Sequence, residues 1–244
     1  MGFFYLQKCG GFTILDKGNL RQEKEMGNNF LEGYDAVIFD LDGVIINSEP
    51  IHMDILNDMV RPYGGELETW DYNENFVGKC EQDCWGEIKR RYQIPYSVEE
   101  LIERYVDGIS RYFETTQNPP VLPGVRELVG MISAKKRKLA VASSSSKKNI
   151  MLSLKSAGIR DYFDALASAE DAGRGKPAPD VYLNACEALE VQPHKGIAIE
   201  DSAAGVKAAK AAGLYAIGLK NPDSGEQDLS LADRVVGSLE ELLQ

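Results

Sequence analysis

The chain has 244 residues, 43% of them hydrophobic, and its 38 acidic side chains outnumber 27 basic ones, for a formal net charge of −11 at pH 7. This negative charge argues against nucleic acid or an anionic membrane as a partner, because either would need a basic face on the protein. We recognise no membrane-spanning apolar run and no signal peptide, so we expect a cytoplasmic protein and, by default, a monomer.

Residues 1–33 show no periodic pattern of apolar side chains and include several Gly and Asn residues. We expect them to form a tail outside the folded domains, and Met26 is an alternative start of translation. The first clear element follows at Val37, where an apolar run predicts a buried strand that runs out at Asp40.

Two carboxylates, Asp40 and Asp42, lie where this strand ends, and Gly43 follows them. Open α/β sheets bind their ligands at the carboxyl ends of the strands. Two like charges so close together are costly unless a cation or a proton neutralises one of them. The pair therefore indicates either a functional site or an ordinary Asp-Gly turn after a strand.

The stretch of residues 48–121 is predicted to be an all-helical domain. Its first helix starts at about Pro50, because apolar residues recur from there at helical spacing. The other helices are predicted over residues 81–92 and 98–115 and near residues 69–76. A proline-rich segment closes the domain with stiff, extended chain.

From residue 125 onward, predicted helices and strands alternate. The strands are predicted over residues 138–142, 165–168, 196–199, 214–219 and 234–236. The helices are predicted over residues 125–134, 148–157, 179–189 and 203–212, with a last helical turn at 239–243. Repeated β-α units form a parallel sheet with helices on both faces. The predicted fold is therefore a doubly wound parallel α/β core, residues 34–47 and 122–244, with the helical domain inserted after the first strand.

Further residues typical of a site lie near the ends of predicted strands. They are Ser143, Lys176 in a Gly-Lys-Pro loop, and the pair Glu200-Asp201. Each alone has a simpler explanation, as a turn serine, a solvated lysine or residues that cap a helix. Their common placement at one edge of a sheet is much harder to attribute to chance.

These residues, taken with Asp40 and Asp42, suit phosphoryl transfer. Carboxylate oxygens are ligands that Mg²⁺ prefers. One carboxylate can attack phosphorus, and a second carboxyl group two residues further along can move the proton. Ser143 can donate a hydrogen bond to a phosphoryl oxygen, and Lys176 can place a positive charge beside it.

The ordered set of motifs resembles the haloacid dehalogenase superfamily, from about Tyr34 to the C-terminus. The motifs are Asp40-Leu41-Asp42-Gly43-Val44, Ser143 after an apolar strand, Lys176 in Gly-Lys-Pro-x-Pro, and Glu200-Asp201. The resemblance implies a Rossmann-like core, an inserted four-helix cap and Mg²⁺ as the cofactor.

The same resemblance implies a role for each matching residue. Asp40 would be the nucleophile and Asp42 the general acid and base. Ser143 and Lys176 would bind the transferring phosphoryl group. The implied Mg²⁺ ligands are the Asp40 carboxylate, the Asp42 backbone carbonyl and Asp201, with Glu200 next to the ion or one step removed.

Within this superfamily the chain is similar to the branch of β-phosphoglucomutases and small sugar-phosphate phosphatases. His52 matches a histidine at the cap hinge of the mutases, and interdomain packing is its alternative role. The mutases carry an Arg in a Gly-x-x-Arg motif of the cap, where this chain has Gly78-Lys79-Cys80-Glu81. A carboxylate at position 81 would repel a phosphate, and Lys79 lacks the planar fork of Arg.

This departure favours hydrolysis, so we expect a Mg²⁺-dependent phosphatase of a small phosphorylated metabolite. His52, Lys79 and Glu81 are the candidates in the cap for contact with the substrate. A β-phosphoglucomutase-type isomerase is the alternative. A binding or regulatory protein without turnover is a third reading, and the presence of every catalytic residue argues against it.

Overall fold

The computed structural model describes residues 30–71 and 81–244. A sheet of six parallel strands lies at the centre, in the order β3-β2-β1-β4-β5-β6. The strands are β1 (Ala36–Phe39), β2 (Lys138–Ser143), β3 (Ala165–Ser168), β4 (Gly196–Glu200), β5 (Tyr215–Leu219) and β6 (Arg234–Val236). With β1 in the middle and crossovers to both sides, this order confirms the predicted Rossmann-like, doubly wound α/β fold.

The first strand occupies the middle of the sheet because its side chains are apolar on both faces. Val37 and Phe39 pack on one face, Ala36 and Ile38 pack on the other, and all four are buried. Parallel strands covered by helices on both sides require such continuous apolar runs. The strand that carries the candidate site is thus anchored in the most protected part of the molecule.

Helices cover both faces of the sheet. They are α1 (Glu49–Val60), α2 (Glu81–Tyr92), α3 (Val98–Thr115), α4 (Val125–Ala134), α5 (Lys147–Ser156), α6 (Asp180–Leu189) and α7 (Ala203–Ala212), with 3-10 turns at Arg61–Tyr63, Arg160–Tyr162, Pro193–Lys195, Pro222–Ser224 and Leu239–Leu242. Helices α4 and α5 pack on the face of Val37, and α6 and α7 pack on the opposite face. None of the described helices is long and apolar enough to cross a membrane.

Helices α1, α2 and α3 lie between β1 and β2 in the chain and share a small core of their own. Leu56 of α1, Trp85 of α2 and Leu101 of α3 are buried together in it. Helix α3 also packs against α5, where Ser110 Oγ donates a buried hydrogen bond of 2.6 Å to Asn149 Oδ1. A polar contact therefore joins these helices, which we call the helical unit, to the sheet layer.

Several observed boundaries differ from the predicted ones. Ser143 and Glu200 are the last residues of β2 and β4, whereas both were predicted to follow their strands. Phe30 and Leu31 were predicted to lie in the tail, but they are buried in the core because their apolar side chains gain free energy by leaving water. The predicted helix near residues 69–76 is helical at 69–71, and its remainder lies outside the described residues.

Candidate functional site

Three strand ends meet at one edge of the sheet and bring the candidate residues together. Phe39 of β1 lies opposite Val141 of β2 and Ile199 of β4. Asp40 follows Phe39, and its backbone N–H donates a hydrogen bond of 2.9 Å to Ile199 O. Asp40 therefore lies between the carboxyl ends of β2 and β4.

Asp40, Glu200 and Asp201 form a compact group of buried carboxylates. Their exposed fractions are 7%, 0% and 5%, and one oxygen from each lies within 4.8 Å of the other two. Burial raises the pKa of Asp40 well above its usual range despite the attraction of Lys176. Burial and, to a smaller extent, the negative charge of Glu200 raise the pKa of Asp201 to about 7. Crowded, hard oxygen ligands of this kind fit a divalent cation such as Mg²⁺.

Gly43 allows the loop after Asp40 to approach this group closely. Its φ is +76°, a conformation that side chains disfavour, and a Cβ at this position would lie 1.9 Å from Asp201 Oδ2. Only glycine meets both requirements. The glycine that follows the two aspartates in the sequence is thus part of the packing around the carboxylate group.

Lys176 is the cation of this group. Its side chain is 8% exposed, and Nζ donates hydrogen bonds of 2.7 Å to Asp40 Oδ1, 2.5 Å to Glu200 Oε1 and 3.1 Å to Ala142 O. Burial works against the charged ammonium, but Asp40 and Glu200 outweigh it and raise the pKa of Lys176. The lysine therefore remains charged and holds Asp40 in a fixed orientation.

Glu200 has its oxygens engaged by neighbouring side chains. Besides Lys176, Tyr182 Oη donates a hydrogen bond of 2.7 Å to Oε1, and Ser202 Oγ donates one of 3.1 Å to Oε2. Gly205 of α7 packs so closely that a Cβ there would lie 1.9 Å from Glu200 Cδ. Glu200 thus anchors Lys176 and adds negative charge to the group.

Asp42 is not one of the three grouped carboxylates, although its charge helps to raise the pKa of Asp40, and it contacts the helical unit. Its Oδ2 accepts a hydrogen bond of 2.9 Å from Ser145 Oγ, and its Oδ1 lies 3.7 Å from His52 Nε2. Burial would raise the pKa of Asp42, but the contact with His52 dominates and lowers it. Despite burial, Asp42 in turn raises the pKa of His52, whose Nδ1 shares a hydrogen bond of 2.6 Å with Tyr105 Oη.

Of the remaining predicted site residues, the structure describes the side chain of Ser143 but not those of Lys79 and Glu81. Ser143 is fully buried at the end of β2, and its Oγ accepts a hydrogen bond of 3.0 Å from the backbone N–H of Ser145. A hydroxyl that accepts in this way can still donate to a ligand. Lys79 lies outside the described residues. Glu81 is the first residue of α2, and its side chain is not among the described ones.

Three residues that hydrogen-bond to the acidic side chains of the site were not predicted. Tyr182 looked like an apolar position of α6, Ser145 belonged to a run of serines, and Ser224 belonged to a loop without a motif. Their contacts with Glu200, Asp42 and Asp201 join residues far apart in sequence. The serine run directly after β2 was the one available signal, because polar residues at strand ends had already marked the site.

Comparison with known proteins identifies related sequences over most of the chain. The family model described as "Haloacid dehalogenase-like hydrolase" matches residues 37–219. A phosphorylated carbohydrates phosphatase of Thermotoga maritima is 32% identical over 183 residues, which cover 75% of this chain and 83% of that protein. Hexitol phosphatase B of Escherichia coli K12 is 34% identical over 211 residues, which cover 85% of this chain and 93% of that protein.

The fold also matches a solved structure. The crystal structure of β-phosphoglucomutase from Clostridium difficile superposes with a TM-score of 0.70 at 27% identity, covering 86% of this chain and 93% of that one. The match extends over both the sheet layer and the segment that carries the helical unit.

Proposed function

The chain belongs to the haloacid dehalogenase-like hydrolase family, and we propose that it is a Mg²⁺-dependent phosphatase that hydrolyses a small sugar phosphate through an aspartyl-phosphate on Asp40. The observation that carries this proposal is the position of Asp40, which lies at a strand end between Lys176 and two further carboxylates. The names of the phosphorylated carbohydrates phosphatase and the hexitol phosphatase support the substrate class.

The carboxylates of Asp40 and Asp201 and the backbone carbonyl of Asp42 would hold the Mg²⁺ ion, and the nearby Glu200 would contribute negative charge. When bound, the ion would offset negative charge on the carboxylates and on the phosphoryl oxygens. The group fits this use because its three carboxylates are buried close together and Lys176, the lysine that pairs with them among the described residues, can balance one negative charge.

The chemistry assigned to the side chains has two steps. In the first, an Asp40 oxygen forms a bond to phosphorus while the bond to the leaving alkoxide breaks, and Asp42 supplies the proton that the alkoxide takes up. In the second, Asp42 takes a proton from a water molecule, whose oxygen attacks phosphorus and releases Asp40 as a carboxylate. Ser143 and Lys176 would bind the phosphoryl oxygens in both steps.

The helical unit would act as a cap over this chemistry, with residues 48–121 as a domain separate from the core. Among its described residues, His52 is held by Tyr105 and contacts Asp42. The pKa of Asp42 is lowered and that of His52 is raised, so the proton that Asp42 passes to the leaving group would come from His52. Closure of the cap would also exclude bulk water from the phosphoryl group.

A second candidate is a β-phosphoglucomutase-type isomerase. The solved mutase structure and the position of His52 favour it. Glu81 argues against it, because that position would need a cation to bind the second phosphate of a sugar bisphosphate.

A paired assay on one purified sample distinguishes these functions. It measures phosphate release from hexose and hexitol phosphates in the presence of Mg²⁺, and glucose 6-phosphate formation from β-glucose 1-phosphate with a bisphosphate primer. We expect phosphate release from at least one substrate and no rapid isomerisation. Fast isomerisation with little free phosphate would instead establish the mutase.

Mg²⁺ binding should weaken in acid, because a proton on Asp201, with a pKa of about 7, competes with the ion. Protonation of Asp201 alone should raise the apparent Kd about tenfold between about pH 8 and about pH 6, and Asp40, whose pKa is also raised, would add to this effect. The same proton stabilises the metal-free fold, because the folded pKa lies above the ordinary value of 3.8, and this stability is lost as the pH rises towards 7. The Mg²⁺-induced rise in Tm should therefore grow with pH, and an equal rise at both pH values would contradict the assignment of Asp201.

A further inference from the structure

We propose that Ser224 is a positioning residue that fixes the orientation of the Asp201 carboxylate, and that a contact at the hinge of the helical unit holds Ser224 in place. This inference rests on the proposed Mg²⁺ site and extends it to residues 221–224, which we call the β5 turn. None of the sequence motifs includes this turn.

Ser224 and Asp201 form a buried hydrogen-bonded pair. Ser224 Oγ donates a hydrogen bond to Asp201 Oδ2, and the two residues are 8% and 5% exposed. Gly43 packs against both atoms of this pair, since a Cβ there would lie 1.9 Å from the carboxylate oxygen and 2.8 Å from Ser224 Oγ. Enclosed between the turn and the loop of Gly43, the carboxylate cannot rotate freely, so the direction of its second oxygen is also fixed.

The β5 turn is tied to the loop that follows the nucleophile. Asn221, which is 9% exposed, donates a hydrogen bond of 3.1 Å from Nδ2 to Gly43 O. Its Oδ1 accepts one of 3.0 Å from the backbone N–H of Asp223. A single side chain therefore links the conformation of the turn to the loop between Asp40 and the helical unit.

The same turn is anchored to the start of α7, next to Asp201 in the chain. Gln227 Nε2 donates a hydrogen bond of 2.9 Å to Ser224 O, and Gln227 Oε1 accepts one of 3.1 Å from the backbone N–H of Ala203. Ser224 is thus fixed through its backbone as well as through its hydroxyl.

The hinge contact is made by Asn47. Its Nδ2 donates a hydrogen bond of 2.7 Å to Asp223 Oδ2 in the β5 turn, and its backbone N–H donates one of 2.8 Å to Pro120 O. Residues 47 and 120 lie on the two connections that lead into and out of the helical unit. A movement of this unit would therefore reach the turn through Asn47, and the turn would pass it to Asp201 through Ser224.

The consequence is measurable as Mg²⁺ affinity. Groups that hydrogen-bond to a metal ligand keep it in the binding orientation, and their removal typically weakens metal binding about 10- to 100-fold. Isothermal titration of the full chain with MgCl₂ should show a Kd about tenfold higher for Ser224→Ala than for the wild type. Ser153→Ala is the matched control, because it also removes a buried serine hydroxyl, one that bonds to Asn149 O within α5.

The hinge contact is tested in two backgrounds. If Asn47 acts through Ser224, Asn47→Ala should raise the Kd about threefold in the wild type and leave it unchanged in Ser224→Ala, since contacts in one network are not additive. Tm values measured in EDTA should be similar for Ser224→Ala and Ser153→Ala, which separates a loss of metal binding from a loss of folding.

The outcomes separate this inference from the proposed function. Wild-type binding that Asp201→Asn removes but Ser224→Ala leaves intact would overturn the positioning role alone. An equal effect of Asn47→Ala in both backgrounds would overturn the link through Ser224. No Mg²⁺ binding by the wild type would overturn the proposed metal site and this inference with it.

Discussion

Asp40→Asn should lower phosphate release by about 10⁴-fold or more, because an amide oxygen cannot replace the carboxylate as the attacking group. The fold should persist. Asparagine has nearly the same shape, its Oδ1 can accept the hydrogen bond from Lys176, and the change removes a carboxylate whose burial raises its pKa. Phosphate release at saturating substrate measures the loss, and the Tm in EDTA verifies the fold.

A suitable control for this substitution is Asp58→Asn. The Asp58 side chain is 73% exposed and pairs with Arg61 on the surface of the helical unit, so its loss should leave the rate unchanged. If Asp40→Asn kept more than about a tenth of the wild-type rate, water rather than Asp40 would be the attacking group, and the aspartyl-phosphate would have to be abandoned.

The sequence predicted the sheet and the convergence of the candidate residues for the same reason. Apolar runs such as that of β1 form buried parallel strands, and the polar residues that follow them meet at one edge of the sheet. Asp40, Ser143 and Asp201 could therefore be placed together without coordinates. The structure adds that Asp42 contacts His52 and is not one of the three grouped carboxylates.

The sequence could not predict contacts that depend on the direction in which a single side chain points from its helix or turn. Tyr182 fits the apolar periodicity of α6, and nothing in that pattern shows that its hydroxyl bonds to Glu200. Ser224 lies in a turn that is tied by long-range hydrogen bonds to Gly43 and Asn47. Phe30 and Leu31 precede the first periodic element, so their burial became visible only with the core in place.

Lys176→Met should lower the free energy of unfolding by about 3–5 kcal/mol in the metal-free protein at about pH 8, and it should also abolish phosphate release. The lysine is the charge partner of both Asp40 and Glu200, and their side chains are 10% and 0% exposed. Removing it leaves these carboxylates buried without a cation. Denaturant unfolding in EDTA, analysed at constant m value, measures the change in stability.

Arg174→Met provides the contrast within the same loop. Arg174 also pairs with a carboxylate, Asp180, but its side chain is 72% exposed, so its removal should leave the free energy of unfolding nearly unchanged. Acid should reduce the cost of Lys176→Met, because carboxylates such as Asp40, whose pKa is already raised, take up protons and become neutral as the pH falls. Similar losses for both variants, or a Lys176→Met cost that stays the same on acidification, would mean that Lys176 does not neutralise this group.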